Sequence, residues 1–191
     1  MVRTIAVQQI TDAIREMCLE ATHRLSPDMA AAFDQAVQAE ESPLGCKILQ
    51  DLTENLAIAQ QQMIPICQDT GMAVVFLEIG QDVHLTEGDL FTAVNEGVRQ
   101  GYVEGFLRKS VVNDPLIREN TKDNTPAVLH TTIVPGEQVR ITLAPKGFGS
   151  ENTSAIYMLK PCLLYTSCGA LRKTAGIFDL DGNVFDDLIT V

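Results

Sequence analysis

Residues 65–80 read PICQDTGMAVVFLEIG, and the second half of that stretch decides the fold. Residues 72–79 form a short apolar run, interrupted only by Glu78 and rich in Val and Phe. Such a run suits a β-strand covered on both faces better than a helix of useful length. A thiol, an amide and a carboxylate, Cys67, Gln68 and Asp69, then stand side by side in the loop that enters the strand. What precedes them is helical in pattern. Ile10, Ile14, Cys18, Ala21 and Leu25 recur three or four apart, as on one face of a helix. In SPDM (26–29) and SPLG (42–45) a serine can cap a helix and a proline can take its first turn, where a missing N–H costs nothing. The helix started by the second motif is expected over about 43–62, burying Ile48, Leu52, Leu56 and Ala59.

Beyond the strand, a helix is expected from about Glu87, capped by Thr86, with Phe91, Val94, Val98 and Tyr102 on its inner side. It fades at GYVEGFLRKS (101–110), whose glycines break it and release Arg108 and Lys109. Residues 111–126, VVNDPLIRENTKDNTP, have the Asn, Asp, Thr and Pro content of a long ordered loop. Two strands follow at 127–134 and 137–144, around a Pro135-Gly136 pair that suits a type II turn. In PKGFGSENTS (145–154) Gly147 and Gly149 let backbone approach a ligand, and Ser150, Asn152 and Thr153 offer polar groups. The glycine and lysine spacing is not that of a phosphate P-loop. The expected class is α+β: a helical N-terminal third followed by a mixed, largely antiparallel sheet with flanking helices.

Charge narrows the partners. With 14 Lys and Arg against 25 Asp and Glu, the 191-residue chain carries −11, the wrong sign for sequence-independent nucleic-acid binding. An anionic ligand would be repelled at long range, so a site for one needs its own arginine or backbone donors. No apolar stretch approaches the roughly 20 residues of a membrane helix, and the N-terminus lacks a signal core, so a cytoplasmic protein is expected. The five cysteines are odd in number and form no C-x-x-C pair, poor material for disulfides or a local zinc site. Cys18 and Cys46 read as small buried hydrophobes. His23 is expected on a polar helix end, His84 at a strand edge and His130 within a strand.

Cys67 with Gln68 and Asp69 suggests metal-assisted acid–base work, because a thiolate ligates soft metals and a carboxylate moves protons. One cysteine cannot hold zinc or an iron–sulfur cluster alone. A metal-free nucleophilic cysteine remains the rival reading and wants a histidine base. Three longer motifs go further: ICQDTGMAVVF from Ile66, GYVEGFLRKSVVNDPLIRENTKDNTPAVLH from Gly101, and IVPGEQVRITLAPKGFGSEN from Ile133. Together they closely resemble the alpha-type N-terminal part of class I fumarases and tartrate dehydratases, which are iron–sulfur hydro-lyases. The resemblance implies reversible hydration of fumarate to malate, or dehydration of tartrate, with a dicarboxylate substrate. It implies a [4Fe-4S] cluster with Cys67 as first ligand, Gln68 and Asp69 at the substrate, and Asp69 as catalytic proton carrier or orienter. It also implies Arg108 pairing with a substrate carboxylate, Gly149 presenting its backbone, a beta-type domain or subunit as partner, and a homo- or hetero-oligomer. Lys146, Glu151 and Asn152 belong to the same glycine-loop motif.

The resemblance is expected to cover residues 1–161. After Pro161 the family continues with its second and third cluster cysteines, whereas Cys162 and Cys168 do not lie in those motifs. Residues 162–167, CLLYTS, resemble a translated sequencing-adapter fragment, and GIFDLDGNVFDDL (176–188) resembles the nucleophile loop of haloacid-dehalogenase-type phosphatases. There Asp179 would be the nucleophile and Asp181 its acid–base partner, with magnesium. Residues 162–191 are accordingly expected to be an unrelated tail from a chimeric junction, and the chain alone to be inactive. A non-catalytic truncated subunit and a phosphatase fragment stand as the alternatives from other classes.

Overall fold

The computed structural model of the chain describes residues 2–149. In order they form β1 (Arg3–Ala6), α1 (Val7–His23), α2 (Pro27–Ala39), α3 (Pro43–Gln62), β2 (Met72–Gly80), β3 (Val83–Thr86), α4 (Leu90–Glu104), β4 (Val128–Val134) and β5 (Val139–Lys146). This is the α+β class, helical through its first third apart from the short β1. Ser150, Glu151, Asn152, Thr153, Cys162, Cys168, Asp179 and Asp181, and with them the expected tail 162–191, lie outside the described residues.

The pairing is mixed. β2 is the centre of a three-stranded sheet, parallel to β4 and antiparallel to β5, while β1 and β3 pair in parallel as a separate ribbon. Alternation along β2 sends Ala73, Val75, Leu77 and Ile79 into the core with Ile10, Ile14 and Cys18 of α1 and Val94, Val98 and Tyr102 of α4. The opposite face is open among the described residues, so β2 is covered on one side rather than two. Phe76 is 46% exposed there, stacked on the His130 ring with centroids 5.0 Å apart, and Glu78 pairs with Arg140 at 3.4 Å.

α1 and α4 meet along a seam of small residues. A Cβ on Gly97 would lie 2.6 Å from the Thr11 carbonyl oxygen, and one on Gly101 would lie 2.6 Å from Cys18 Cβ, so both positions need glycine for this approach. The Thr11 hydroxyl crosses the seam to donate to the Ala93 carbonyl at 2.9 Å. α4 begins later than expected, capped by Asp89 rather than Thr86. The Asp89 carboxylate accepts from the Thr92 N–H at 2.7 Å, which holds its pKa below the usual range. Phe91, in the first turn, is exposed.

Other expectations shift for identifiable reasons. On α1 the buried line runs Val7, Ile10, Thr11, Ile14, Cys18, Thr22, so Ala21 falls outside it. His23 is buried rather than at the surface, with Nδ1 against the Leu19 carbonyl at 2.5 Å. On α3 only Ala59 is buried, while Ile48 and Leu52 stay exposed because α3 packs mainly on α2. Cys46 is half-buried, its thiol donating to the Glu40 carbonyl.

β4 and β5 do not pair with each other, because β2 lies between them. The connection through Pro135 and Gly136 arches over the end of β2. Gly80 N–H donates to the Gln138 carbonyl at 2.8 Å, Gln81 N–H to Val134 at 2.8 Å and Asp82 N–H to Gly136 at 3.0 Å. Gly136 takes φ +101°, the positive value that Pro-Gly was expected to provide.

Candidate active site

The CQDTG loop runs from the end of α3 into β2, and its backbone is tied down at several points. Ile66 N–H donates to the Thr22 carbonyl at 2.9 Å, and Asn55 Nδ2 donates to the Ile66 carbonyl at 3.0 Å. The buried Tyr102 hydroxyl donates to the Thr70 carbonyl at 2.9 Å. Burial, with Cys18 and Asp69 nearby, pushes the Tyr102 phenol above its ordinary range, so it remains an O–H donor. Gly71 has φ +57°, and a Cβ there would lie 1.8 Å from the Lys146 carbonyl oxygen, so loop and β5 close on each other only over glycine.

On this framework the side chains point outward. Cys67 is exposed, and its sulfur accepts from the Asp69 N–H at 3.5 Å. Asp69 is half-buried and doubly engaged: Oδ1 accepts from the Gly71 N–H and Oδ2 from the Phe148 N–H, each at 3.2 Å. The second bond brings the glycine loop after β5 onto the carboxylate. Arg108, released where α4 ends at Gly105, reaches back so that Nη1 donates to Gln68 Oε1 at 3.2 Å. The Thr70 hydroxyl donates to the Arg108 carbonyl at 3.2 Å.

Cys67, Gln68, Asp69 and Arg108 therefore fall in two adjoining loops. Gly149 follows directly on the Phe148 that contacts Asp69, and no described atom lies within 4 Å of where its Cβ would be. Arg108 is exposed and makes no ion pair among the described residues. A guanidinium oriented by a neutral amide, in a chain of charge −11, keeps its full attraction for a carboxylate. Lys146 closes β5, its ammonium 5.4 Å from the Phe148 ring centroid.

Cys67 offers an exposed thiol, a donor type that soft metals take, with one backbone N–H toward its sulfur. Among the described residues no group of three His, Cys, Asp or Glu gathers to complete a set. Burial pushes the Cys18 thiol up to about 12, which marks it as structural.

Sequence comparison now decides the family. The profile described as fumarate hydratase (Fumerase) matches residues 11–168. This chain belongs to that family. Similar family members include the putative L(+)-tartrate dehydratase subunit alpha of Methanocaldococcus jannaschii, 37% identical over 80% of this chain and 55% of that protein. The anaerobic class I fumarate hydratase of Escherichia coli is 30% identical over 80% of this chain and 29% of its own length. The L(+)-tartrate dehydratase subunit alpha of E. coli is 25% identical over 82% of this chain and 52% of its own. The chain thus spans about half of the alpha subunits it matches and under a third of that fumarate hydratase. No helix among the described residues is long and apolar enough to cross a membrane.

Sequence reading singled out the residues that face outward, but not the hydrogen bonds that hold them. Tyr102, Thr70 and Asn124 lie beneath the site and act on carbonyls and N–H groups. Tyr102 was expected on the inner face of its helix and Thr70 lies within the CQDTG motif, but neither their hydrogen bonds nor the bracing role of Asn124, in the turn-rich 111–126, shows in the sequence.

Proposed function

We propose that this domain supports a hydro-lyase reaction on a four-carbon dicarboxylate, reversible hydration of fumarate to malate. The observation that carries the reading is Arg108. Its guanidinium, in no ion pair among the described residues, is aimed by Gln68 beside Asp69 and Cys67. In this reading Arg108 takes one substrate carboxylate, and the Gln68 amide, its oxygen already occupied, offers N–H to a second substrate oxygen. Asp69 is held in one orientation by two backbone N–H groups and moves or orients the proton on the substrate carbon. In this reading Gly149 presents its backbone to the same substrate.

Cys67 would supply one thiolate to the [4Fe-4S] cluster that the resemblance implies, which when bound contributes Lewis acidity at the substrate hydroxyl. Water is added with its proton on one carbon and its hydroxyl on the neighbour, and dehydration is the reverse. The names of the alpha-subunit relatives support a beta-type partner, and the 37% identity to a tartrate dehydratase subunit supports tartrate as the second reading.

The test is anaerobic reconstitution, with iron and sulfide and beside a beta-type partner, of a full-length alpha-type protein that carries this domain and the family's two further cluster cysteines. Hydration of fumarate is then compared with dehydration of L(+)-tartrate. Arg108→Lys is expected to raise KM, Asp69→Asn to lower kcat by about 100-fold or more, and Cys67→Ala to remove the cluster absorbance. Turnover unaffected by Asp69→Asn, or a cluster spectrum unchanged by Cys67→Ala, refutes the assignment. The ratio of the two substrates' kcat/KM chooses between fumarate and tartrate.

A further inference from the structure

We propose that Asn124 is the positioning residue of this site, fixing the loop that carries Cys67, Gln68 and Asp69 against the loop that carries Arg108. The inference rests on the reading of those four residues given above, but its geometry stands independently. Asn124 is fully buried. Its Nδ2 donates to the Gly71 carbonyl at 3.1 Å, two residues after Asp69. Its Oδ1 accepts from the Ser110 N–H at 2.7 Å and the Val111 N–H at 3.1 Å, just after Arg108.

One planar amide therefore joins the two loops close to the residues they present. The orientation of that amide follows from its partners, because a reversed carboxamide would set NH2 against two N–H donors. Both lone-pair directions of Oδ1 are used, and the backbone groups they satisfy lie in a poorly solvated place. The φ of +64° at Asn124 is a conformation asparagine tolerates better than most side chains.

The residue type is narrowly constrained. Aspartate keeps the acceptor for Ser110 and Val111 but turns an oxygen toward the Gly71 carbonyl, releasing one side of the bridge. Glycine accepts the backbone conformation and releases both sides. These two variants separate positioning from general stability. The nearby bonds from Tyr102 to Thr70 and from Thr70 to Arg108 run alongside but do not reach Ser110 or Val111.

The experiment uses the full chain, with amide hydrogen exchange followed by NMR and the rate of Cys67 modification by a small uncharged disulfide. Asn124→Gly is expected to speed exchange at Ser110 and Val111 by about tenfold or more relative to amides in α1, and to change the Cys67 rate severalfold. Asn124→Asp should retain the Ser110 and Val111 protection while still changing the Cys67 rate, a partial rescue that loss of fold would not give. Val98→Ala, remote from the bridge, serves as the stability control.

Exchange that rises uniformly in both Asn124 variants, as in the control, overturns the proposal. So does protection at Ser110 and Val111 that survives Asn124→Gly. Calorimetric titration of the same proteins with fumarate separates the two readings. A parent chain that binds no fumarate counts against the dicarboxylate site, while the exchange pattern still decides Asn124.

Discussion

Ile14 and Ile48 occupy equivalent positions, each four residues after an apolar neighbour on its helix, yet Ile14 is fully buried and Ile48 is 50% exposed. The contrast extends to their helices. α1 and α4 meet across glycines and pack on the sheet, burying Ile10, Ile14, Cys18, Val94, Val98 and Tyr102. α2 and α3 lean chiefly on each other, bury only Ala59, and leave Met29, Val37, Leu44, Ile48 and Leu52 exposed. Amphipathic periodicity records that a helix has an apolar side; it does not record what that side meets. Backbone proximity at the seam, signalled by Gly97 and Gly101, distinguishes the first pair from the second.

Stability measurements can break this contrast. Ile14→Ala should cost ~4 kcal/mol in urea unfolding, whereas Ile48→Ala should cost less than ~1 kcal/mol. Equal costs would mean that α3 is as enclosed in solution as α1. Gly97→Val should cost ~3 kcal/mol by wedging the helices apart at the Thr11 carbonyl, against ~0.5 kcal/mol or less for Gln50→Val on the exposed side of α3.

Smaller effects sharpen the contrast near the site. Tyr102→Phe should cost ~2 kcal/mol, because the Thr70 carbonyl loses its buried donor, and should leave α2 and α3 unaffected by hydrogen exchange. The weakest effect is on pH dependence. Hydrogen bonds from Arg99 and Gln100 lower the Glu96 carboxyl to about 2. A depressed carboxyl contributes stability that is present above its unfolded value and lost as pH falls through the folded one. Thermal midpoints should therefore drop between about pH 4.5 and pH 2, and Glu96→Gln should shallow that drop slightly, since the pair is solvent-screened. An unchanged acid profile would show that this exposed pair contributes nothing measurable.

The sequence pattern revealed the class, the helix starts at Pro27 and Pro43, the break at Gly105 and the strand after Gly71, because each is governed by local chemistry. It missed whatever depends on distant partners. Residues 72–79 suggested a strand covered on two sides, but Phe76 faces outward on His130. His23 sits among polar neighbours in sequence, yet its burial depends on the tertiary fold. At the candidate site, Cys67, Gln68, Asp69 and Arg108 were singled out through the motifs that resemble the family, and the fold brings them into two adjoining loops. Asn124 was not, since an asparagine that braces two loops looks like one that makes a turn.

The arch over Gly80 also bears on how the sheet assembles. β4 and β5 are consecutive in the chain and joined by only four residues, Pro135 to Gln138, but cannot zip together as a hairpin because β2 must lie between them. In the folded sheet β2 separates the two arms by two strand spacings, about 10 Å, and supplies the ladder partners of both. The central strand was made more than 40 residues earlier, with α4 and a long loop intervening. Sheet formation therefore waits on a distant loop closure, so the most local pair of strands becomes one of the last pieces of the molecule to acquire its hydrogen bonds.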